Sequence, residues 1–255
     1  MERTTRVAVV MPAYNAEKTL ERTLNDIPKS SVDDIILVDD ASQDGTAELA
    51  RELGIFTRVH SSNRGYGANQ KTCYRTALER GADHVVMVHP DHQYDPTAIP
   101  RMVEPLLEGR ADAVFGSRML GGDPLGGGMP RWKYNANILL TAFANIAFGI
   151  FLTEYHSGFR AYSRSFLESV PFENNSDGFV FDTHIIAQAM ALGLRIHEIP
   201  IATRYFREAS QISFWPSVRY GLEVVRTCIG FRLLKSGLHR SRIYRPGPAG
   251  EAEPT

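Results

Sequence analysis

Largely apolar runs recur through the first half of the chain. They are Arg6–Met11 (RVAVVM), Ile35–Val38, Phe56–His60, Val85–His89 and Ala113–Gly116. Runs of this length, broken by turn residues, predict strands buried on both faces, as in a parallel sheet. They repeat about every 25–30 residues with a helical pattern between, the rhythm of βαβ units. Asn15 is placed to cap a first helix reaching Ile27, and Ser42 or Asp44 a second reaching Leu53. Asn63-Arg64-Gly65-Tyr66-Gly67 leads into a third helix ending near Gly81, and Pro96 opens a fourth.

Beyond Arg118 the pattern changes. Five glycines between 121 and 128 make a loop of the kind that serves as a lid. Arg131–Leu152 predicts a long helix, Ser157–Tyr162 a short extended piece, and Phe181–Leu192 a helix stopped by Gly193. Arg195–Ile199 predicts a strand and Trp215–Ser236 a final long helix. Residues 241–255, rich in proline and glycine at their end, predict a disordered tail. The expected fold class is therefore α/β, a Rossmann-like, mostly parallel sheet flanked by helices with a C-terminal helical elaboration. Residues 1–240 read as one domain, with a nucleotide-binding half over about 1–118 and an acceptor half over about 119–240.

Composition narrows the function. The chain has 255 residues, 43% of them hydrophobic and 22% charged, enough for an ordinary core. A net charge of −1 argues against a nucleic-acid partner. Cys73 and Cys228 stand far apart without metal-ligand spacing, which suits a reducing, cytoplasmic setting. The start, MERTTRVAVV, holds no apolar signal run. Ala136–Leu152 contains Asn137 and Asn145 and is short for a membrane span, so a buried or interfacial helix is expected.

Chemistry concentrates at strand ends. In His84–Pro96 (HVVMVHPDHQYDP) a buried strand runs into His89, Pro90, Asp91, His92, Gln93 and Asp95. Imidazole and oxygen donors at the carboxyl edge of a sheet suit a divalent cation, Mn²⁺ or Mg²⁺. Asp39 and Asp40 end the second strand together. Adjacent carboxylates repel, so either N–H and O–H donors from a nucleobase or ribose, or a metal ion, are expected nearby. The loop after the first strand, PAYNAE, lacks Gly-x-Gly-x-x-Gly, and no P-loop is present, which argues against an NAD enzyme. Tyr14 is placed either to stack on a base or to join the core.

In order along the chain stand PAYN, VDDASQDGT, NRGYGAN, HPDHQYDP, GSR, SGFRAYSR and EIPI-x-x-RYF-x-EAS. This series, from about Val7 to Arg232, resembles the inverting family 2 glycosyltransferases of GT-A fold, in the branch of the dolichyl- and polyprenyl-phosphate mannose or glucose synthases. The resemblance implies an enzyme that moves a hexose from a GDP- or UDP-linked sugar to a lipid phosphate. It implies that Pro12, Tyr14, Asn15, Asp39, Asp40, Gly67 and Pro90 border the nucleotide, and that Asp91 and Gln93 hold the metal. Arg118 would lie near the leaving diphosphate or the acceptor. Ser157, Gly158 and Arg160 would line the sugar pocket, and Arg131, Arg204 and Arg207 would hold an acceptor phosphate.

The chain departs from that pattern in three places. The family's Asp-x-Asp is His89-Pro90-Asp91 here, so His89 is either a ligand that shifts metal preference or no ligand. Ala16 follows Asn15 where a carboxylate is common, and Tyr66 replaces a lysine. A hydroxyl acceptor on a glycan or glycolipid would need a general base, for which Asp182 and Asp95 are candidates. A sugar nucleotidyltransferase and a non-catalytic sugar-nucleotide-binding subunit are the rival classes. The basic residues between Arg219 and Arg245, interleaved with apolar ones, suit peripheral contact with an anionic membrane face. A homo-oligomer is also compatible.

Overall fold

The computed structural model describes residues 5–121, 123–204, 214–238 and 241–245. Arg207 and Arg240 lie outside them.

The apolar runs form seven strands, with nearly the expected boundaries: β1 (Val7–Ala13), β2 (Asp34–Asp39), β3 (Phe56–Val59), β4 (His84–Met87), β5 (Ala113–Ser117), β6 (Arg160–Ser163) and β7 (Ile196–Pro200). They build one sheet in the order β3-β2-β1-β4-β6-β5-β7. Every neighbouring pair is parallel except those made by β6, which runs antiparallel to both β4 and β5. This direction matters for the site. The parallel strands deliver their carboxyl ends to one edge, and β6 delivers its amino end there, with Met87 and Phe115 both opposite Arg160. Segments far apart in the chain therefore converge.

Among the described residues eight α-helices cover the sheet: α1 (Glu17–Asn25), α2 (Thr46–Glu52), α3 (Tyr66–Glu79), α4 (Ile99–Leu107), α5 (Arg131–Phe148), α6 (Arg164–Ser169), α7 (Phe181–Leu192) and α8 (Phe214–Lys235). Two apolar cores form, one on each face. The first packs Val10, Val85 and Phe115 with α3, α7 and the inner sides of α5 and α8. The second packs Val9, Val86 and Val114 with Leu20 of α1 and Met102 of α4. Burial on both faces is why the strands could carry unbroken apolar runs.

Four expectations need correction. Asn15 does not cap α1. It takes a positive φ of 52°, and its Oδ1 accepts from Gln43 N at 2.8 Å, tying the first strand's loop to the second's. The helix predicted to Leu152 ends at Phe148, because Gly149 turns left-handed (φ 73°) as its C-cap. Helix α6, capped by Ser163 Oγ accepting from Phe166 N at 3.1 Å, was not expected. The predicted tail is ordered at its start. Residues 241–245 carry a short 3₁₀ turn whose Ile243 carbonyl accepts from Gln188 Nε2 at 2.5 Å and whose Arg245 carbonyl accepts from Asn174 Nδ2 at 2.9 Å.

Candidate active site

A cavity of about 920 Å³ opens at this edge of the sheet. The end of β1 supplies Pro12, Ala13, Tyr14 and Asn15; the end of β2 supplies Asp40; the segment after β4 supplies His89, Pro90, Asp91, Gln93 and Tyr94. Arg118 follows β5, and His156 and Gly158 precede β6. Helices close the other walls, with Lys133, Ala136, Asn137, Leu139 and Leu140 from α5, Asp182 from α7, and Val218, Tyr220 and Gly221 from α8. One end is thus polar and the other, between α5 and α8, largely apolar.

The two neighbouring carboxylates are compensated by the protein itself. Asp39 accepts from Ser42 N at 2.9 Å and from Ser42 Oγ. Asp40, buried at the wall, accepts from His60 Nδ1 at 2.7 Å and from the backbone N–H groups of Arg64 and Gly65 at 2.9 Å each. Loop closure therefore explains why both acids are tolerated, and Asp40 still borders the cavity.

Asp91 makes a light local contact, its Oδ1 accepting from Gln93 N at 3.0 Å. His89 stacks on Tyr66 with ring centroids 5.7 Å apart and planes 10° from parallel. Burial pushes its pKa below the usual imidazole value, against the opposing charges of Asp91 and Asp182, so the ring is neutral and able to ligate. A Cβ on Gly158 would stand 2.6 Å from His89 Nε2, so glycine is required for the ring to sit there. Among the described residues no three His, Cys, Asp or Glu side chains form a closed metal cage. A carboxylate, an amide and a neutral imidazole along one wall nevertheless fit a divalent ion that keeps water and substrate phosphate oxygens as its remaining ligands.

Arg118 is fixed by Glu154, which no motif singled out. Glu154 Oε2 accepts from Arg118 N at 2.7 Å, Oε1 accepts from Arg118 Nε at 2.8 Å, and Asn137 Nδ2 adds a bond at 2.7 Å. Burial alone would raise the Glu154 pKa, but the Arg118 charge and hydrogen bonds outweigh it and hold the carboxyl below its ordinary value. Lys133 lowers its pKa through burial and through the like charge of Arg118. Two cations facing one cavity suit an anion.

Other expected site residues lie elsewhere. Gly67 packs against the backbone of Ser176 and Gly178 and donates to Asp177 O at 2.7 Å, away from the cavity lining. Arg160 is fully buried beneath the wall, donating to Ser157 O at 2.9 Å and Tyr155 O at 2.8 Å and pairing with Asp182 at 3.5 Å. Ser157 belongs to the same support, its Oγ accepting from Phe159 N at 3.2 Å. Arg131 is exposed at the start of α5, and Arg204 is half exposed beside Asp26 and Asp95. Neither lines the cavity. The two candidate bases are engaged. Asp95 accepts from Thr97 N at 3.0 Å, and Asp182 accepts from Tyr66 Oη at 2.9 Å and Gln70 Nε2 at 3.4 Å.

The model of the family described as "Glycosyl transferase family 2" matches residues 8–170. The chain belongs to that family. As a family 2 glycosyltransferase it is 31% identical over 209 residues to the undecaprenyl-phosphate mannosyltransferase of Micrococcus luteus, covering 77% of this chain and 82% of the relative. It is 28% identical over 216 residues to the UDP-N-acetylglucosamine–dolichyl-phosphate N-acetylglucosaminyltransferase of Methanococcus voltae, covering 78% and 86%. The glucosyl-3-phosphoglycerate synthase of Mycobacterium tuberculosis, solved with uridine diphosphate, superimposes with a TM-score of 0.68 at 23% identity, covering 93% and 82%. The glycosyltransferase thus has the GT-A fold expected from its motifs.

Proposed function

We propose that this glycosyltransferase moves a hexose from a nucleotide sugar to a polyprenyl phosphate, inverting the anomeric centre. The observation that carries the reading is the two-ended cavity. Its polar end, with Asn15, Asp40, Asp91 and Gln93, suits a nucleotide sugar. Its other end lies between α5 and α8, walled by Leu139, Leu140 and Val218. An isoprenyl chain needs such an apolar exit beside a cationic site, and Arg118 and Lys133 stand there.

Outward from that exit, Leu139, Ile146, Phe151, Trp215 and Leu222 are each more than 60% exposed. Helix α5 holds Arg131 and Lys133 and no acid, and α8 holds four basic residues against Glu223, a net of +5 on a chain whose net charge is −1. An apolar face ringed by positive charge suits an anionic bilayer, at about 1 kcal/mol per basic residue near the surface. Among the described residues no helix is long and apolar enough to cross a membrane. Peripheral contact on the cytoplasmic side is the corresponding reading.

The chemistry follows from the charges. Asp91 and Gln93, with His89 beside them, would hold a divalent cation, which when bound would supply Lewis-acid neutralisation of the departing diphosphate. Arg118, oriented by Glu154, donates charge-assisted hydrogen bonds to phosphate oxygens. At ~4 Å and an effective dielectric of ~20, one such pairing is worth ~4 kcal/mol. A phosphate monoester is already anionic at neutral pH and attacks without a strong base. That accords with the engagement of Asp95 and Asp182, whereas a sugar hydroxyl would need a free carboxylate.

The test is sugar transfer by the full chain from UDP- and GDP-linked hexoses to a short polyprenyl phosphate in detergent, with Mn²⁺, Mg²⁺ or chelator. The expected result is nucleoside diphosphate release that depends on lipid phosphate and metal, with a β-linked product from an α-linked donor. Equal transfer to the unphosphorylated polyprenol, or turnover indifferent to the lipid, would refute it.

A further inference from the structure

His156 lies in the loop that enters β6, at the wall of the cavity. Its two ring nitrogens are treated differently. Nδ1 is 2.8 Å from Tyr220 Oη on α8, and the rings meet edge to face with centroids 5.6 Å apart. Nε2 is buried and has no hydrogen-bond partner among the described residues. A polar atom deprived of both water and a protein partner carries a standing cost, and such atoms in native proteins call for a reason. Burial drives the His156 pKa down to about 4, so the ring is neutral at pH 7, and burial keeps the Tyr220 phenol protonated. Arg118, Lys133 and Asn137 line the same cavity, so the surroundings favour an anionic oxygen as the missing partner.

We propose that His156 is a substrate-contacting residue of the transfer site, its Nε2–H donating to a phosphate oxygen once bound substrate displaces the packing that covers this nitrogen, and that Tyr220 is the positioning residue that sets this tautomer. With the phenol donating to Nδ1, the ring's own proton resides on Nε2. A neutral donor suits this place because Arg118 and Lys133 already supply charge, and a third cation would add repulsion in the free enzyme. The phosphate oxygen belongs either to the lipid acceptor or to the donor's diphosphate. The inference rests on the transfer of sugar between phosphates argued above.

The test uses full-length protein labelled with ¹⁵N in its histidine rings, with His156 assigned through His156→Gln. The expected spectrum shows the Nε2–H tautomer, and Tyr220→Phe mixes the two tautomers. Farnesyl phosphate and nucleoside diphosphate are then added separately, binding being followed by calorimetry. A shift of the His156 signals with farnesyl phosphate assigns the contact to the acceptor, and a shift with the diphosphate assigns it to the donor. An Nδ1–H tautomer, or a ring unmoved by probes that demonstrably bind, overturns the proposal. In kinetics His156→Leu, which keeps bulk but no donor, is expected to raise the KM of the assigned substrate about tenfold, and His156→Gln to restore most of it. Leu and Gln variants that both match wild type overturn the proposal. Wild-type protein that transfers no sugar to any lipid phosphate refutes the functional reading instead, while the tautomer measurement stands apart from it.

Discussion

Arg118 and Glu154 form a buried ion pair at the cavity wall, in which one carboxylate receives the arginine's backbone N–H at 2.7 Å and its Nε at 2.8 Å. The pair joins the end of β5 to the loop before β6 and leaves the guanidinium's direction settled before substrate arrives. Glu154→Ala is expected to cost about 1.5–3 kcal/mol, because the nearly buried Arg118 loses its charge-assisted hydrogen bonds to the carboxylate. The Glu154 pKa is depressed in the folded state, so its contribution is present above the unfolded value of about 4.3 and is lost as pH falls through the lower folded value. Urea unfolding of wild type, Glu154→Ala and Glu154→Gln at neutral pH and below pH 4 checks both statements. The gap between them should narrow in acid.

Asp91→Ala is expected to lower transfer about a thousandfold while leaving the melting temperature near wild type. Among the described residues the carboxylate accepts one local hydrogen bond, from Gln93 N, so little of the fold leans on it. Initial rates and a thermal melt decide the matter, and near-normal turnover would remove Asp91 from metal binding.

Gly158→Ala tests the packing of His89. The added methyl would enter within 2.6 Å of His89 Nε2 and 2.8 Å of Cδ2, and the ring is held on its other side by Tyr66. Overpacking of this kind costs about 1–3 kcal/mol, and the imidazole must shift. Loss of activity together with a changed Mn²⁺/Mg²⁺ preference would identify His89 as a ligand. Loss without a change in preference would identify it as packing.

His184 makes stability pH dependent. Its Nδ1 accepts from Ser176 N at 3.2 Å, which requires the neutral ring, and burial followed by the nearby Lys71 charge lowers its pKa to about 4. The folded state resists a proton that the unfolded chain takes up near pH 6.5, so stability falls as pH drops from about 6.5 toward 4. The slope is at most about 1.4 kcal/mol per pH unit for each such histidine. Unfolding free energies across that range should flatten in His184→Gln.

Ile146→Glu and Leu222→Glu probe the outer face of α5 and α8. Both side chains are about 70% exposed, at 71% and 67%, so the substitutions should leave folding unchanged. Sedimentation with vesicles containing anionic lipid is expected to capture wild type, less so at high salt, and to release the double variant. Equal capture of both would discard this face as the membrane contact.

Much of the fold was legible because buried strands declare themselves locally. Val7–Ala13, residues 85–87 and Ala113–Ser117 are buried on both faces, and such unbroken runs stand out in the sequence. Pro96 marks a boundary by backbone constraint alone. Helix ends that depend on one glycine's conformation, such as Gly149, were harder, because glycine permits a left-handed turn without demanding it. Much of the site was legible for the same reason: Asp40, His89, Asp91, Gln93 and Arg118 follow strands whose ends must share an edge.

The sequence by itself determined the α/β class, the strand ends that carry polar chemistry, and membership of the glycosyltransferase family, since each is written in contiguous residues. The tertiary structure alone decided which of those residues meet. It set Arg160 beneath the wall, turned Gly67 toward Ser176, placed Glu154 behind Arg118, and brought Lys133, His156 and Tyr220 to the cavity although no motif marked them. The reason is that a contact across the sheet depends on strand order and direction, here on the antiparallel β6, and neither is encoded within any one segment.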